Sequence, residues 1–146
     1  MSKTHCQICA REIKANTGLI AHHGYKRPHG YGFQTGSCEG SRHRPYEESR
    51  DAIPYAIERR ERNRVATEQR ISEMLTDPPA ELTYKIGRRE GKVGRPIGFD
   101  SSKEGYFGNP RSYECNFWRI VNHNRRYVEQ LVADVEYLQR RYDEWK

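Results

Sequence analysis

Two cysteines with two residues between them, Cys6 and Cys9, followed by a third at Cys38 and a scatter of histidines, most constrain this 146-residue chain. Thiols at C-x2-C spacing share one tight turn, and two further Cys or His residues complete the tetrahedral shell that zinc takes. The chain needs such a staple. Leu, Ile, Val and Phe fill only 24 of its positions, below the roughly 20% at which a chain struggles to bury a core. Ten Tyr and two Trp offset part of the shortage. A large apolar core is excluded, and no apolar run approaches the roughly 18 residues of a membrane span. The polar opening residues lack an apolar leader, so a cytoplasmic location without a membrane partner is expected, where thiols hold metals more often than they form disulfides.

The remaining ligands come from His22, His23, His29, Cys38 and His43. One set joins Cys6 and Cys9 to Cys38 and His43, with the last pair at the mouth of a helix starting near Tyr46. Knuckle, β-hairpin and helix in that order make a treble-clef-like zinc finger. The other set is Cys6, Cys9, His23 and Cys38, with His43 left outside. Cys115 stands apart near Phe117 and Trp118 and reads as a packed thiol.

Composition divides the chain into a zinc finger at 1–46, a helix at 47–79, a Gly-rich basic connector with room for one hairpin at 80–112, and a coiled-coil helix at 113–146. The first helix is predicted from the acidic pair Glu47-Glu48 to the stop at Asp77-Pro78-Pro79, with Pro54 near its front. In the last segment Val121, Asn124, Val128, Leu131, Val135, Leu138, Tyr142 and Trp145 recur at alternating three- and four-residue steps, a heptad seam. A homodimer through this C-terminal seam is the expected use; packing inside one chain on Ile53, Ile57, Ile71 and Leu75 is the alternative, and both can hold together. The expected fold class is mainly α, with a small zinc-stabilised β-hairpin unit and long helices forming a coiled coil.

Charge is uneven. The whole chain is +6, and residues 1–46 alone carry +5. A localised basic surface is the footprint of a nucleic-acid binder. Tyr25, Lys26, Arg27 and Tyr31 interleave basic and aromatic side chains between glycines, and Arg42 and Arg44 add to the same segment. Lys85, Arg88, Arg89, Lys92 and Arg95 form a second basic cluster suited to phosphate contacts of low sequence specificity. The leading expectation is a non-catalytic zinc-finger protein that binds nucleic acid or a host nucleic-acid-processing complex. A protein that acts through its coil on a host factor is another.

Two resemblances follow from these residues. Cys6, Cys9, His22-His23-Gly24-Tyr25, Cys38 and Pro45-Tyr46-Glu47 together resemble small zinc-finger proteins of phages and prophages, which implies an origin and a fold more than a mechanism. The intervals from Cys9 to His22 and from Cys9 to Cys38 also resemble the zinc-containing His-Me finger (HNH-type) phage resolving endonucleases. That second resemblance covers residues 6–60. It implies His23 as a general base and His22 as a ligand to a second, catalytic divalent ion. Where those enzymes carry Asn or His at the front of the helix, this chain has Arg44, Pro45, Tyr46, Glu47 and Glu48.

Overall fold

A computed structural model describes residues 3–28, 34–105 and 108–146. The elements run β1 (Ala15–Asn16), β2 (Leu19–Ile20), β3 (Gly24–Tyr25), β4 (Thr35–Ser37), α1 (Ala52–Thr76), β5 (Glu81–Ile86), β6 (Arg89–Gly94) and α2 (Tyr113–Glu144). The chain divides into two compact units, Met1–Glu61 with Ala133–Lys146, and Arg62–Val132. The expected segments were contiguous, whereas the first unit draws on residues far apart in sequence. Two helices and three small antiparallel strand pairs make up the described architecture.

The first unit has little regular β-structure. β1 pairs with β2, β3 pairs with β4 through an irregular register, and a lone bridge joins His5 to Glu12. Between His5 and Glu12 the chain makes the knuckle that carries Cys6 and Cys9. The core here is Cys6, Ile8, Cys9, Cys38, Ala52, Ile53, Ala56 and Leu138, with Ile57, Tyr137 and Tyr142 packed at its edge. Three of these eight side chains are thiols. The aliphatic shortage of the sequence thus reappears as a core built partly from sulfur.

α1 begins at Ala52, later than the predicted Glu47. Residues 46–48 instead form a turn in which the amides of Glu48 and Ser49 donate to the Pro45 carbonyl at 2.9 and 3.0 Å. Glu47 does not start the helix. Its carboxylate accepts from the His5 amide at 3.0 Å. Pro54 is the third helical residue, where an amide has no partner within the helix, so the ring is accommodated.

The second unit holds the hairpin that the Gly-rich connector allowed. Six residue pairs run from Glu81↔Gly94 to Ile86↔Arg89. Gly87, at φ +58, opens the two-residue turn, a position where hairpins favour glycine. The core beneath is aromatic. Phe99 meets Tyr113 and Phe117 edge-on, each at 4.9 Å between ring centroids, and Trp118 meets Phe117 at 5.1 Å. Leu82 and Val121 complete it.

Several positions of the predicted seam are occupied within the chain. Leu131 and Leu138 are buried, and Leu138 packs in the first unit's core beside Ile53. Val128 and Val135 are half-buried. Tyr142 lies under the Arg50 guanidinium at 3.9 Å, and Trp145 Nε1 donates to the Tyr46 carbonyl at 2.6 Å. No described helix is long and apolar enough to cross a membrane.

Candidate metal centre

Cys6, Cys9, His23 and Cys38 come together, with one ligand atom from each lying within 4.8 Å of all the others. Cys6 Sγ is 3.7 Å from Cys38 Sγ, and Cys9 Sγ is 3.4 Å from His23 Nε2. A tetrahedral zinc with thiolates at about 2.3 Å and an imidazole at about 2.0–2.1 Å sets neighbouring sulfurs about 3.8 Å apart and sulfur and nitrogen about 3.6 Å apart. The Cys6–Cys38 and Cys9–His23 edges lie close to those values and every other pair lies within 4.8 Å, so the cluster is compatible with a structural metal such as zinc.

Each sulfur is held by backbone amides. Ile8 N–H donates to Cys6 Sγ at 3.4 Å. The backbone of Arg11 bonds to Cys9, and that of Gly40 to Cys38. In all three cases the donor is two residues past the thiol, so one local turn geometry recurs around the site. The knuckle needs a left-handed residue after its second cysteine, and Ala10 fills that place at φ +58. Gly40 is required by contact: a Cβ there would lie 2.2 Å from Cys6 Sγ.

His23 is oriented by its other ring nitrogen. Nδ1–H donates to the Ala21 carbonyl at 2.8 Å, which leaves the Nε2 lone pair facing Cys9. Ser41 supports the same segment, its hydroxyl accepting from the His23 amide at 3.2 Å. Such a partner fixes the tautomer of a metal-binding imidazole. The Cys38 amide donates to the His23 carbonyl at 2.9 Å and ties the last two ligands together.

Crowding divides the thiols. Hydrogen bonds with Cys38 and then Cys6 hold Cys9 far below the ordinary thiol range. Bonds with Cys6 and Cys9, together with burial, push Cys38 far above it. For Cys6 the bond with Cys38 pulls downward, but the bond with Cys9 and burial outweigh it, and the thiol is raised. Three buried thiols crowded together thus oppose one another's ionisation. A dication at their centre allows all three to ionise, and its binding releases protons.

The structure separates the two ligand sets. His43 lies outside the cluster, its Nδ1 3.9 Å from Asp51 Oδ2, which corrects its assignment as a metal ligand. The last ligands also do not come from a helix, because α1 opens fourteen residues beyond Cys38. They flank the β3–β4 pair instead. The two histidines that the nuclease resemblance pairs have different surroundings: His23 Nε2 faces Cys9, while exposed His22 has its Nε2 2.9 Å from Ser37 Oγ.

The basic residues fare unevenly. Lys26, Arg42 and Arg44 are exposed, and none makes an ion pair among the described residues. Arg27 pairs with Asp134 at 2.9 Å. Tyr25 is half-buried against the core, with the Arg60 guanidinium 5.6 Å from its ring centre. In the second unit Lys85, Arg88, Arg89, Lys92 and Arg95 are all exposed, although Lys92 meets Glu81 at 3.5 Å and Arg95 donates to the Pro78 carbonyl at 2.5 Å. Tyr31 and His29 lie outside the described residues.

Sequence reasoning missed the clamp behind the knuckle. Gln7 is fully buried, and its Nε2 donates to the Arg44 carbonyl and to Asp51 Oδ1, both at 2.9 Å. Its Oε1 accepts from the Ala52 amide at 2.9 Å and so caps the first turn of α1. Arg141 donates to the carbonyls of Gln7 and Cys6 at 3.1 and 3.2 Å, with its guanidinium 3.8 Å from the Tyr46 ring centre. A long polar side chain inside C-x2-C was the available hint. Its partner in α2 had no local signal. Comparison with protein-family models, with curated proteins and with solved structures finds no match to the chain.

Proposed function

We propose that this chain is a zinc-dependent, non-catalytic nucleic-acid-binding protein. All four positions of a tetrahedral shell are supplied by Cys6, Cys9, His23 and Cys38, which leaves no open coordination site of the kind a catalytic zinc keeps. The metal's role in this reading is to hold the knuckle and the β3–β4 pair in place. The observation that carries the binding function is the exposed set Lys26, Arg42 and Arg44 around that framework, without ion-pair partners among the described residues. Arg42 is tied to the framework, since its amide donates to the Ile20 carbonyl at 2.8 Å. The hairpin's Arg88 and Arg89 supply a second basic surface in the other unit.

The test is salt dependence. Three phosphate contacts predict an affinity loss of about 20- to 40-fold between 50 and 200 mM salt. Neutralising Lys26, Arg42 and Arg44 together should flatten that slope, with one zinc per chain retained by elemental analysis. Affinity that is the same at both salt levels refutes the reading.

A further inference from the structure

The first unit contains a cleft of about 340 Å³ whose walls include Cys9, Ala10, Arg11, Lys26 and Pro28. Of the four candidate metal ligands Cys9 lines this cleft, while Cys6, His23 and Cys38 do not. All three thiols are buried. The cleft therefore gives a small solute an approach to the cluster at one residue.

Arg11 stands beside that residue. Its guanidinium hydrogen-bonds the Cys9 sulfur, and Nη2 donates to the Gly24 carbonyl, which fixes the cation in place. Two more thiols are close behind. The sulfurs of Cys6 and Cys38 both lie within 4.8 Å of the Cys9 sulfur, so a small side-chain movement joins either one to it. A sulfur beside a cation, approached through a cleft and backed by a second thiol, is the arrangement of an oxidation-sensitive cysteine. Cys115 lies in the other unit and is not part of the cluster.

We propose that Cys9 is an oxidation site at which peroxides unload the metal centre, resting on the zinc reading above. Cysteines bound to a metal are thiolates. The Cys9 sulfur attacks one peroxide oxygen, the O–O bond breaks, and hydroxide departs beside the Arg11 guanidinium, which leaves a sulfenic acid on Cys9. The thiolate of Cys6 or Cys38 then attacks the Cys9 sulfur, the S–O bond breaks, and a second hydroxide leaves. Two electrons pass from the two sulfurs to the peroxide, and each hydroxide takes up a proton to become water. The disulfide removes two of the four ligands, so the knuckle and the β3–β4 pair lose their staple. A thiol reductant and fresh zinc reverse the change.

The experiment treats the full zinc-loaded chain with excess hydrogen peroxide. Zinc release is followed with a chromogenic chelator and thiol state by peptide mass spectrometry. One zinc is expected to leave for each disulfide formed, and that disulfide to include Cys9. Dimedone, which captures sulfenic acids, is expected on Cys9 at early times, with Cys115 still reduced. Arg11→Gln should slow release by about tenfold or more, with zinc content before treatment and helicity reporting on the fold. Purified chain that holds no zinc overturns the metal reading and the oxidation site with it. Zinc retained under peroxide, capture on Cys6 or Cys38 instead of Cys9, or an Arg11→Gln rate equal to the parent's overturns the oxidation site alone.

Discussion

The two units solve one shortage of aliphatic side chains in different ways. Residues 62–132 assemble a core from Phe99, Tyr113, Phe117 and Trp118, large rings that bury much surface per residue. The unit formed by residues 1–61 and 133–146 uses thiols, short strands and polar clamps, and brings four potential metal ligands to one point. An aromatic core needs nothing outside the chain. Three buried thiols and an imidazole gathered at one point are settled by a cation.

Removing metal should therefore be the largest perturbation and should fall on one unit. Structural zinc contributes about 10–16 kcal/mol in small finger peptides. Chelation is expected to release amides of residues 3–28 and 34–50 to fast hydrogen exchange, while those of Leu82, Val93 and Val121 stay protected. Simultaneous loss in both regions would erase the contrast.

The reciprocal change is Phe117→Ala. Truncating a fully buried ring costs about 3–5 kcal/mol, here in the aromatic unit, with bound zinc unchanged by elemental analysis. A parallel fall in zinc affinity would show that the units do not stand apart.

A smaller effect sharpens the comparison within the metal unit. Gln7→Ala strands the Ala52 amide and removes two donated bonds, a loss of about 1–3 kcal/mol by denaturant titration with metal still bound. Smallest of all, Ala10→Gly relieves a left-handed alanine and should raise stability by about 0.5–1 kcal/mol, less than the full strain because glycine also loosens the unfolded chain. Unchanged stability there would mean that the knuckle bears no strain at that residue.

What the sequence made readable follows from the range of each interaction. The C-x2-C pair is local, so Cys6 and Cys9 declare themselves. Choosing His23 over His43 depends on how β3 meets β4, and that register has no signature in residue types alone. Glu47-Glu48 resembles a helix start because acidic residues favour that place, yet here a tertiary bond from His5 claims Glu47, and the cap comes from Gln7, 45 residues upstream. Periodicity revealed the apolar stripe of α2, because 3.6-residue spacing is written in order along the chain. It could not say what would cover the stripe, since Leu138 meets its neighbours across more than 80 residues.

The reach of Arg141 adds a consequence in time. It closes on the carbonyls of Cys6 and Gln7 across separations of 135 and 134 residues. Synthesis at about 5–20 residues per second leaves the knuckle waiting roughly 7–26 s between the appearance of Cys9 and that of Arg141. During that interval the thiols can already capture a metal, but the turn that carries them lacks its outer support. The nascent protein thus passes through a stage in which it can be loaded before it can be locked, and the pace of synthesis sets how long that stage lasts.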